Sequence, residues 1–502
     1  MLKKIAGSIV LSVLFSTAAF AVGNTSSEKK QAKMTLQDCI EMALKQNLEL
    51  NIESYSPKLQ LLNLQKIKDD FGISVGFEPQ IRNEVKPTSN SFISGGSILN
   101  QFFQNYNFYA KKKLATGGEF SLRFDNSIFN TNSTRVDLNP AINPHLSFNF
   151  NHPLLKYAFN GQKRISIGEN ETESSSYKLK GKAIEIVSRT QDSYWNLILT
   201  KERLKVLENS LELTKDLLKI NKEKEKAGFM AKIDILATEA NIAAKEENIL
   251  QVQKNLGDNE DSLKKLINSG NSTISDWKTE ILPLDKPEFN KFNPDFDASL
   301  KKAMERPDFR IMMLDTKNLE LEKQINSQNR LPNLNFEGNA GLEGLDSKYT
   351  TAISRLFDFK TYFWNIGLNF EIPVTGNKAE TEYQEVLIKE EKQKLVVNEL
   401  KQKIFTEVRN SIRSVEINER RVQANKLAKK LAEEQIKAEI EKLNLGLSTN
   451  FQVLQYQKDF EEASLNEVNA IIDYIKSVNN LSEVEGTLLE NNNIVWELKG
   501  AK

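Results

Sequence analysis

The chain has 502 residues, and its 68 Lys and Arg residues balance 68 Asp and Glu residues, so the formal net charge is zero. A balanced charge argues against a nucleic-acid-binding protein, which normally carries a basic excess or a basic patch. A single cysteine, Cys39, excludes a disulfide framework and any multi-cysteine metal site, and two histidines leave few groups for acid–base chemistry. The composition therefore argues against an enzyme, and no cofactor is expected.

The first element is an apolar segment at the N-terminus. Two lysines precede an apolar run over residues 5–20, and residues 19–21 form the A-x-A pattern of a signal-peptidase site. The run is short for a membrane-spanning helix, although a retained anchor is the alternative. The pattern predicts a cleaved signal peptide over residues 1–21 and a linker over residues 22–34, and therefore an exported protein. No later segment approaches 18 consecutive apolar residues.

Stretches that alternate between apolar and polar residues come next. The clearest are 120–124, 146–150 and 366–370, and weaker ones are 76–85, 106–113 and 333–340. A period of two predicts strands with one apolar and one polar face. In an exported chain such strands suit a transmembrane β-barrel, whereas the more general interpretation is a half-buried sheet of a soluble protein. The stretch 88–141 is either a long outward loop or an additional hairpin.

Two stretches without proline follow, one after residue 153 and one after residue 373. Proline costs about 3 kcal/mol or more inside a helix, so these stretches permit long helices. In the first, apolar residues and one threonine recur every seven positions from Ala183 to Leu218; in the second, apolar residues recur from Ile417 to Leu445. This repeat predicts long supercoiled helices. Each helix is expected to reverse at a glycine and form a helical hairpin.

The same order of elements occurs twice. Residues 146–153 resemble residues 366–373, and both segments end in proline. Each half contains a helix, strands, a long helix, a glycine tip and a second helix, which predicts a mainly α fold with β and two internal repeats. The predicted organisation is a first repeat over 35–289, with strands at about 76–152 and a helical hairpin at about 177–268; a second repeat over 290–490, with strands at about 333–372 and a hairpin at about 378–489; and a C-terminal tail over 491–502.

In this order the segments resemble the TolC-like outer-membrane factors, the outer-membrane efflux proteins. The resemblance covers almost the whole chain after residue 34. It implies a homotrimer with a β-barrel of twelve strands, four from each subunit, in the outer membrane and a long α-helical tunnel in the periplasm. Its carriers are residues 35–44 and Asn47, residues 191–195, the glycine tips at Gly228 and Gly446, the strand-to-helix prolines Pro153 and Pro373, and Arg306 with Pro307.

The resemblance also implies a function. The chain would be the passive exit channel of a tripartite efflux pump or a type I secretion system, with an adaptor protein, an inner-membrane transporter and outer-membrane lipid as partners, and no nucleic acid. The tips at Gly228 and Gly446 would dock the adaptor. The alternative is a soluble periplasmic coiled-coil scaffold or adaptor, which would not need the duplicated strands. Drugs, metals and secreted proteins all remain open as cargo.

Members of this family close their periplasmic end with charged residues beside the second tip. The corresponding residues here, Ser448, Gln452 and Gln455, are uncharged, whereas Asp234 after the first tip matches an acidic gating residue. We therefore expect a gate closed by hydrogen bonds or packing, with Asp234, Lys232, Ser448, Gln452 and Gln455 as its candidate residues. An equally good interpretation is that they are ordinary solvated residues at helix starts.

Overall fold

The computed structural model describes residues 31–88, 97–267, 277 and 279–496. The predicted signal peptide lies outside the described residues. In chain order the first half contains β1 (Gln31–Met34), α1 (Leu36–Gln46), α2 (Leu48–Glu53), α3 (Tyr55–Asp69), β2 (Ile73–Pro87), β3 (Ile98–Lys113), β4 (Glu119–Thr131), β5 (Ala141–Pro153), α4 (Asn160–Lys226), α5 (Lys232–Ile267) and β6 (Glu280–Pro283). The second half contains α6 (Phe296–Ala303), α7 (Pro307–Asn329), β7 (Asn333–Glu343), α8 (Tyr349–Phe357), β8 (Tyr362–Glu371), α9 (Lys378–Asn444), α10 (Asn450–Val484) and α11 (Leu488–Asn491).

The longest elements are α4 and α9, with 67 residues each. At 1.5 Å per residue each helix is about 100 Å long. Both reverse at a glycine with positive φ, 80° at Gly228 and 75° at Gly446, a conformation that costs glycine least. The predicted hairpins, α4 with α5 and α9 with α10, are therefore confirmed. In the described part of the chain, no helix carries an apolar run long enough to cross a bilayer.

The start of the first hairpin differs from the prediction, because α4 begins at Asn160 and not near residue 177. The early part of α4 buries small and polar side chains, so it carries no apolar repeat. A Cβ on Gly168 would lie 3.1 Å from Ile67 Cδ1 of α3, and Asn170 donates a 2.7 Å hydrogen bond to Asn318 of α7. Close helix packing replaces the apolar stripe here, and periodicity alone missed it.

The strands of both halves join in one antiparallel sheet with the order β2-β3-β4-β5-β7-β8. The stretch 88–141, left open between a loop and a hairpin, contributes β3, β4 and the start of β5. The first half therefore contributes four strands and the second half two. Within the described residues this sheet has six strands, so the four strands per subunit implied by the family resemblance are wrong for this sheet.

A small parallel sheet of β1 and β6 was not predicted. Residues 31–34, predicted as part of a linker, form β1, and in the predicted C-terminal tail Ile494 and Trp496 pack on the same core. This core contains α1, whose N-terminus is closed by a capping box between Thr35 and Asp38. A second core lies between α6, α9 and α10. Each repeat thus has its own apolar centre beside its long hairpin.

The single cysteine provides a test of the first core. Cys39 is 0% exposed, and burial raises the pKa of its thiol to about 12. A buried, protonated thiol is a poor nucleophile. We expect a thiol-specific reagent such as dithionitrobenzoate to leave Cys39 unmodified in the native protein at pH 8 and to titrate one thiol per chain after denaturation. Rapid modification of the native protein would contradict the packing of α1.

Candidate functional site

The six-stranded sheet separates apolar and polar side chains into alternating rows. Residues directly opposite each other in a sheet point to the same face, and successive residues of a strand point to opposite faces. One row across all six strands is entirely apolar and the row beside it entirely polar. The apolar row is Val75, Ala110, Leu122, Phe148, Ala340 and Trp364. The polar row is Ser74, Lys111, Ser121, Asn149, Asn339 and Asn365.

The apolar face of this sheet is exposed in the single chain. Val75 is 78% exposed, Trp364 68% and Leu368 66%. The sheet of a soluble protein buries its apolar face against another layer. Within the described residues, α8 contacts β5 and β7 at one end of this face. A continuous exposed apolar face this large is typical of a surface that meets lipid or another protein.

The two edges of the sheet have complementary directions. β2 leaves the end of α3 and runs away from the helices, and every neighbouring pair of strands is antiparallel, so β8 runs back toward the helices. Each edge strand leaves one side of its backbone unpaired within the chain. β8 of one copy can therefore pair antiparallel with β2 of another.

The predicted strand-to-helix prolines lie where the sheet joins the long helices. Pro153 is the last residue of β5, seven residues before α4 begins, and Pro373 lies between β8 and α9. All the long helices thus extend from the same end of the sheet. One chain consists of a strand region at one end and two hairpin tips at the other.

The two hairpin tips lie side by side. The Lys224 ammonium of α4 donates a 2.8 Å hydrogen bond to the carbonyl of Leu443 at the end of α9. The amide of Asn450 at the start of α10 donates a 3.1 Å hydrogen bond to the carbonyl of Asp234 in α5. The glycine turns expose large apolar side chains at this end of the molecule: Phe229 (84%), Leu445 (75%), Leu447 (74%) and Phe451 (75%).

A buried polar cluster joins the hairpins just behind the tips. Asn221 of α4 and Thr238 of α5 are 0% exposed, and Asn450 is 3% exposed. The Asn221 amide donates to Thr238 Oγ1 at 3.1 Å and to Asn450 Oδ1 at 2.7 Å. Sequence reasoning missed this cluster. A signal was present, because the row Leu207, Thr214, Asn221 recurs every seven residues and becomes polar toward the tip.

A second buried contact joins the same three helices further from the tips. Lys245 of α5 and Glu461 of α10 form an ion pair whose side chains are 12% and 15% exposed. Ser210 of α4 donates a 2.5 Å hydrogen bond to the same Glu461 oxygen. A buried ion pair holds its geometry because removing either partner leaves an uncompensated charge. Polar contacts thus join the first hairpin to α10 beside apolar ones, in which Leu217 of α4 shares a cluster with Val453 of α10.

The structure brings only some of the gate candidates together. Ser448 Oγ donates to Glu439 Oε1 at 2.5 Å and lies 3.1 Å from Gln452 Oε1, and Gln452 completes the capping box of α10. The hydrogen bond from Ser448 lowers the pKa of Glu439, a residue that sequence reasoning missed. Gln455 instead donates to Asp459 on its own helix at 2.9 Å.

The remaining two candidates lie at the start of α5. Asp234 contributes its backbone carbonyl to the buried cluster, and Lys232 is exposed. Within the described residues, no group of three or more His, Cys, Asp or Glu side chains is arranged to hold a metal ion. The chemistry that this end offers is hydrogen bonding between helices and an apolar surface at the tips.

Comparison with known proteins supports the fold. No family model matches the sequence, and no curated protein matches it. Solved outer-membrane channels do match in structure: OprN with a TM-score of 0.67 at 12% identity over 90% of both chains, CmeC of Campylobacter jejuni with 0.64 at 14% over 95% of this chain and 94% of that one, and VceC of Vibrio cholerae with 0.63 at 13% over 90% and 96%. The chain has the fold of these channels, and the resemblance to TolC-like outer-membrane factors is confirmed at the level of the fold.

Proposed function

We propose that three copies of this chain form a passive channel across the outer membrane and the periplasm, the exit duct of a tripartite efflux pump or a type I secretion system. The observation that carries the proposal is the pair of rows across the sheet, one wholly apolar and exposed and one wholly polar. Strands with an apolar outer face and a polar inner face are typical of a transmembrane barrel around water. The fold shared with outer-membrane channels supports this assignment.

The sheet edges support assembly from several copies. An open sheet edge is not stable in a bilayer, where each backbone group needs a partner, so the barrel has to close. Antiparallel pairing of β8 with β2 of another copy closes the barrel. Every pair of neighbouring strands in the closed barrel is then antiparallel. Three copies of six strands give eighteen strands. Barrels of about 16–18 strands leave an aqueous channel, so this number suits an open exit.

The long helices support the same assembly. In α9 the row facing its own hairpin is Val408, Val415 and Val422, each at most 3% exposed. The predicted apolar repeat from Ile417 onward lies on another side, where Ile417 is 50% exposed and Leu431 51%. A second heptad row on one helix provides a seam for a neighbouring helix. We assign this row to contacts between copies in the wall of the periplasmic tunnel.

The channel carries out no chemistry. Its polar inner rows keep the barrel hydrated, and the helices, about 100 Å long, extend the path into the periplasm. An inner-membrane transporter supplies the energy. The exposed apolar residues at the tips, beside Gly228 and Gly446, are the docking surface for a periplasmic adaptor protein, since exposed apolar patches mark protein contacts.

Cell fractionation tests the proposal directly. Inner and outer membranes are separated by density, washed with alkaline carbonate, and run without boiling. We expect a carbonate-resistant outer-membrane band at three times the monomer mass and a conducting pore after reconstitution in planar bilayers. A monomer or dimer released with the soluble periplasm would contradict the channel and support the soluble scaffold.

The gate residues give a further prediction. In our proposal the contacts between the tips, with Asp234, Lys232, Ser448, Gln452 and Gln455 as candidates, hold the periplasmic end closed. Asp234→Ala removes the carboxylate and keeps the backbone carbonyl that the buried cluster uses. If the carboxylate closes the tips, this channel is expected to show higher single-channel conductance and to admit large antibiotics such as vancomycin. A Lys254→Ala variant, on the exposed side of α5, serves as the control. Unchanged conductance and unchanged antibiotic leakage in Asp234→Ala would argue that Asp234 is an ordinary residue of a helix start.

A further inference from the structure

The segment between β7 and β8 contains a short amphipathic helix that the sequence analysis missed. Ala352 and Leu356 of α8 are 0% exposed, whereas Tyr349 is 46% and Phe357 55% exposed. Arg355 holds the helix to its own loop through an ion pair with Asp346 at 2.8 Å. The helix therefore has one face packed on the sheet and a second face on which large aromatic side chains meet the surroundings.

The register of the sheet decides which face of the sheet α8 covers. Gly344 donates a 2.9 Å hydrogen bond to the carbonyl of Pro144 and lies opposite it. Pro144, Leu146 and Phe148 are every second residue of β5 and therefore lie on the same, apolar face. Gly344, opposite Pro144, points to this face as well. A Cβ on Gly344 would lie 2.1 Å from the carbonyl oxygen of Ala352. The backbone of α8 thus rests directly on the apolar face, on which Ile142 is 7% exposed.

This placement keeps α8 away from the polar face. There the end of the sheet carries His145 and Phe363, whose rings lie 4.8 Å apart, and Phe363 covers Gly341. A helix that plugged a channel would contact this side. Given the proposed function, on which the present inference rests, the apolar face points to lipid, so α8 lies outside the barrel and not in its lumen.

The surroundings of α8 match a membrane interface. Phe359, Tyr362 and Trp364 follow the helix and are each 68–69% exposed. Together with Tyr349 and Phe357 they place five exposed aromatic rings at the end of the sheet away from the long helices. Aromatic side chains concentrate at the headgroup level of membrane proteins, and amphipathic helices lie in that plane with the apolar side buried about 5–10 Å.

We propose that α8 is an interfacial helix that binds the lipid of the outer leaflet and fixes the depth of the barrel. Its partner is a lipid surface. The bilayer is favoured over a protein because the exposed Tyr362 and Trp364 lie on the same face of β8 as the exposed Ile366. A protein partner would need a surface that ends at the helix.

Lipid-dependent fluorescence quenching tests the proposal on the full-length protein. Phe357→Cys is labelled with bimane and reconstituted into vesicles of phosphatidylcholine brominated either near the top or near the end of the acyl chain; buried Cys39 is left in place. We expect the top-brominated lipid to remove most of the emission and iodide in the water to remove little. Tyr349→Cys repeats the measurement in case one substitution disturbs folding. Ser354→Cys, on the exposed polar side of α8, is expected to respond to iodide instead.

A reference position separates this inference from the proposed function. Ile366→Cys lies on the apolar face in the middle of β8 and is expected to be quenched by the lipid brominated near the chain end. Quenching at Ile366 combined with iodide access at both Phe357 and Tyr349 would overturn the interfacial helix while the channel stands, and would leave α8 free for a protein partner. Iodide access at Ile366 as well would overturn both.

Discussion

Replacing Ile366 with arginine is expected to abolish the trimeric outer-membrane form of the protein. Ile366 lies in the middle of β8, is 63% exposed in the single chain, and belongs to the apolar face. An arginine on the lipid face of a barrel costs about 2–4 kcal/mol at the bilayer midplane. Three copies place three such charges in one barrel, so the free-energy cost in the assembled trimer is three times the cost of one arginine.

The next residue along the strand is the matched control. Asn365 lies on the polar face in a row with Asn339 and Asn149, so Asn365→Arg is expected to assemble normally and change only the ion selectivity of the pore. The measurement is the fraction of each variant recovered as a carbonate-resistant trimer in the outer membrane. Equal recovery of the two variants, or loss of Asn365→Arg alone, would contradict the assignment of the two faces.

Replacing Glu461 with alanine is expected to loosen the periplasmic end of the helical hairpins. The change leaves the Lys245 ammonium, 12% exposed, without its carboxylate and leaves Ser210 without its acceptor. Removing one partner of a fully buried ion pair costs about 3–5 kcal/mol, and the loss at this part-buried pair is expected to be smaller. Because this contact joins α4, α5 and α10, its loss weakens the contact between the first hairpin and the second.

Hydrogen exchange in α5 and α10 measures this effect, since local opening exposes the amides there. Glu461→Ala is expected to speed exchange on the tip side of the pair, whereas Lys245→Met combined with Glu461→Leu is expected to restore it, because a well-packed apolar pair can replace a buried ion pair. The exposed pair Lys254–Asp258 on α5 provides the control, and Lys254→Ala should leave exchange unchanged. A double variant that exchanges as fast as Glu461→Ala would show that the helix contact does not depend on this charge pair.

The long hairpins could be predicted because local sequence determines them. The absence of proline, the seven-residue repeats and the glycines at 228 and 446 act within one helix or one turn, and the structure agrees with each. The prediction missed the start of α4, where Gly168 faces α3 and Asn170 faces α7. Their burial depends on partner helices far away in the sequence, which periodicity does not detect.

The strands were predicted less completely. Over 120–125 of β4 and 146–151 of β5 the apolar and polar residues alternate strictly, and these strands were recognised. β3 was recognised only over 106–113, because it places Phe103 and Tyr109 on the polar face and Asn100 and Gln104 on the apolar one. Alternation is weak in such a strand, and pairing with strands on both sides defines it.

The candidate site divides in the same way. The sequence by itself determined the two repeats, the tips, the amphipathic character of the clearest strands and the position of residues such as Ser448 and Gln452 beside a helix start. Only the tertiary structure decided that six strands form one sheet, that α8 packs on one end of its apolar face, and that Asn221, Thr238 and Asn450 meet behind the tips. The physical reason is the sequence separation between the residues that interact. Helix periodicity and turn conformation are set by residues a few positions apart, whereas strand order and buried polar contacts depend on which distant surfaces the folded chain brings together.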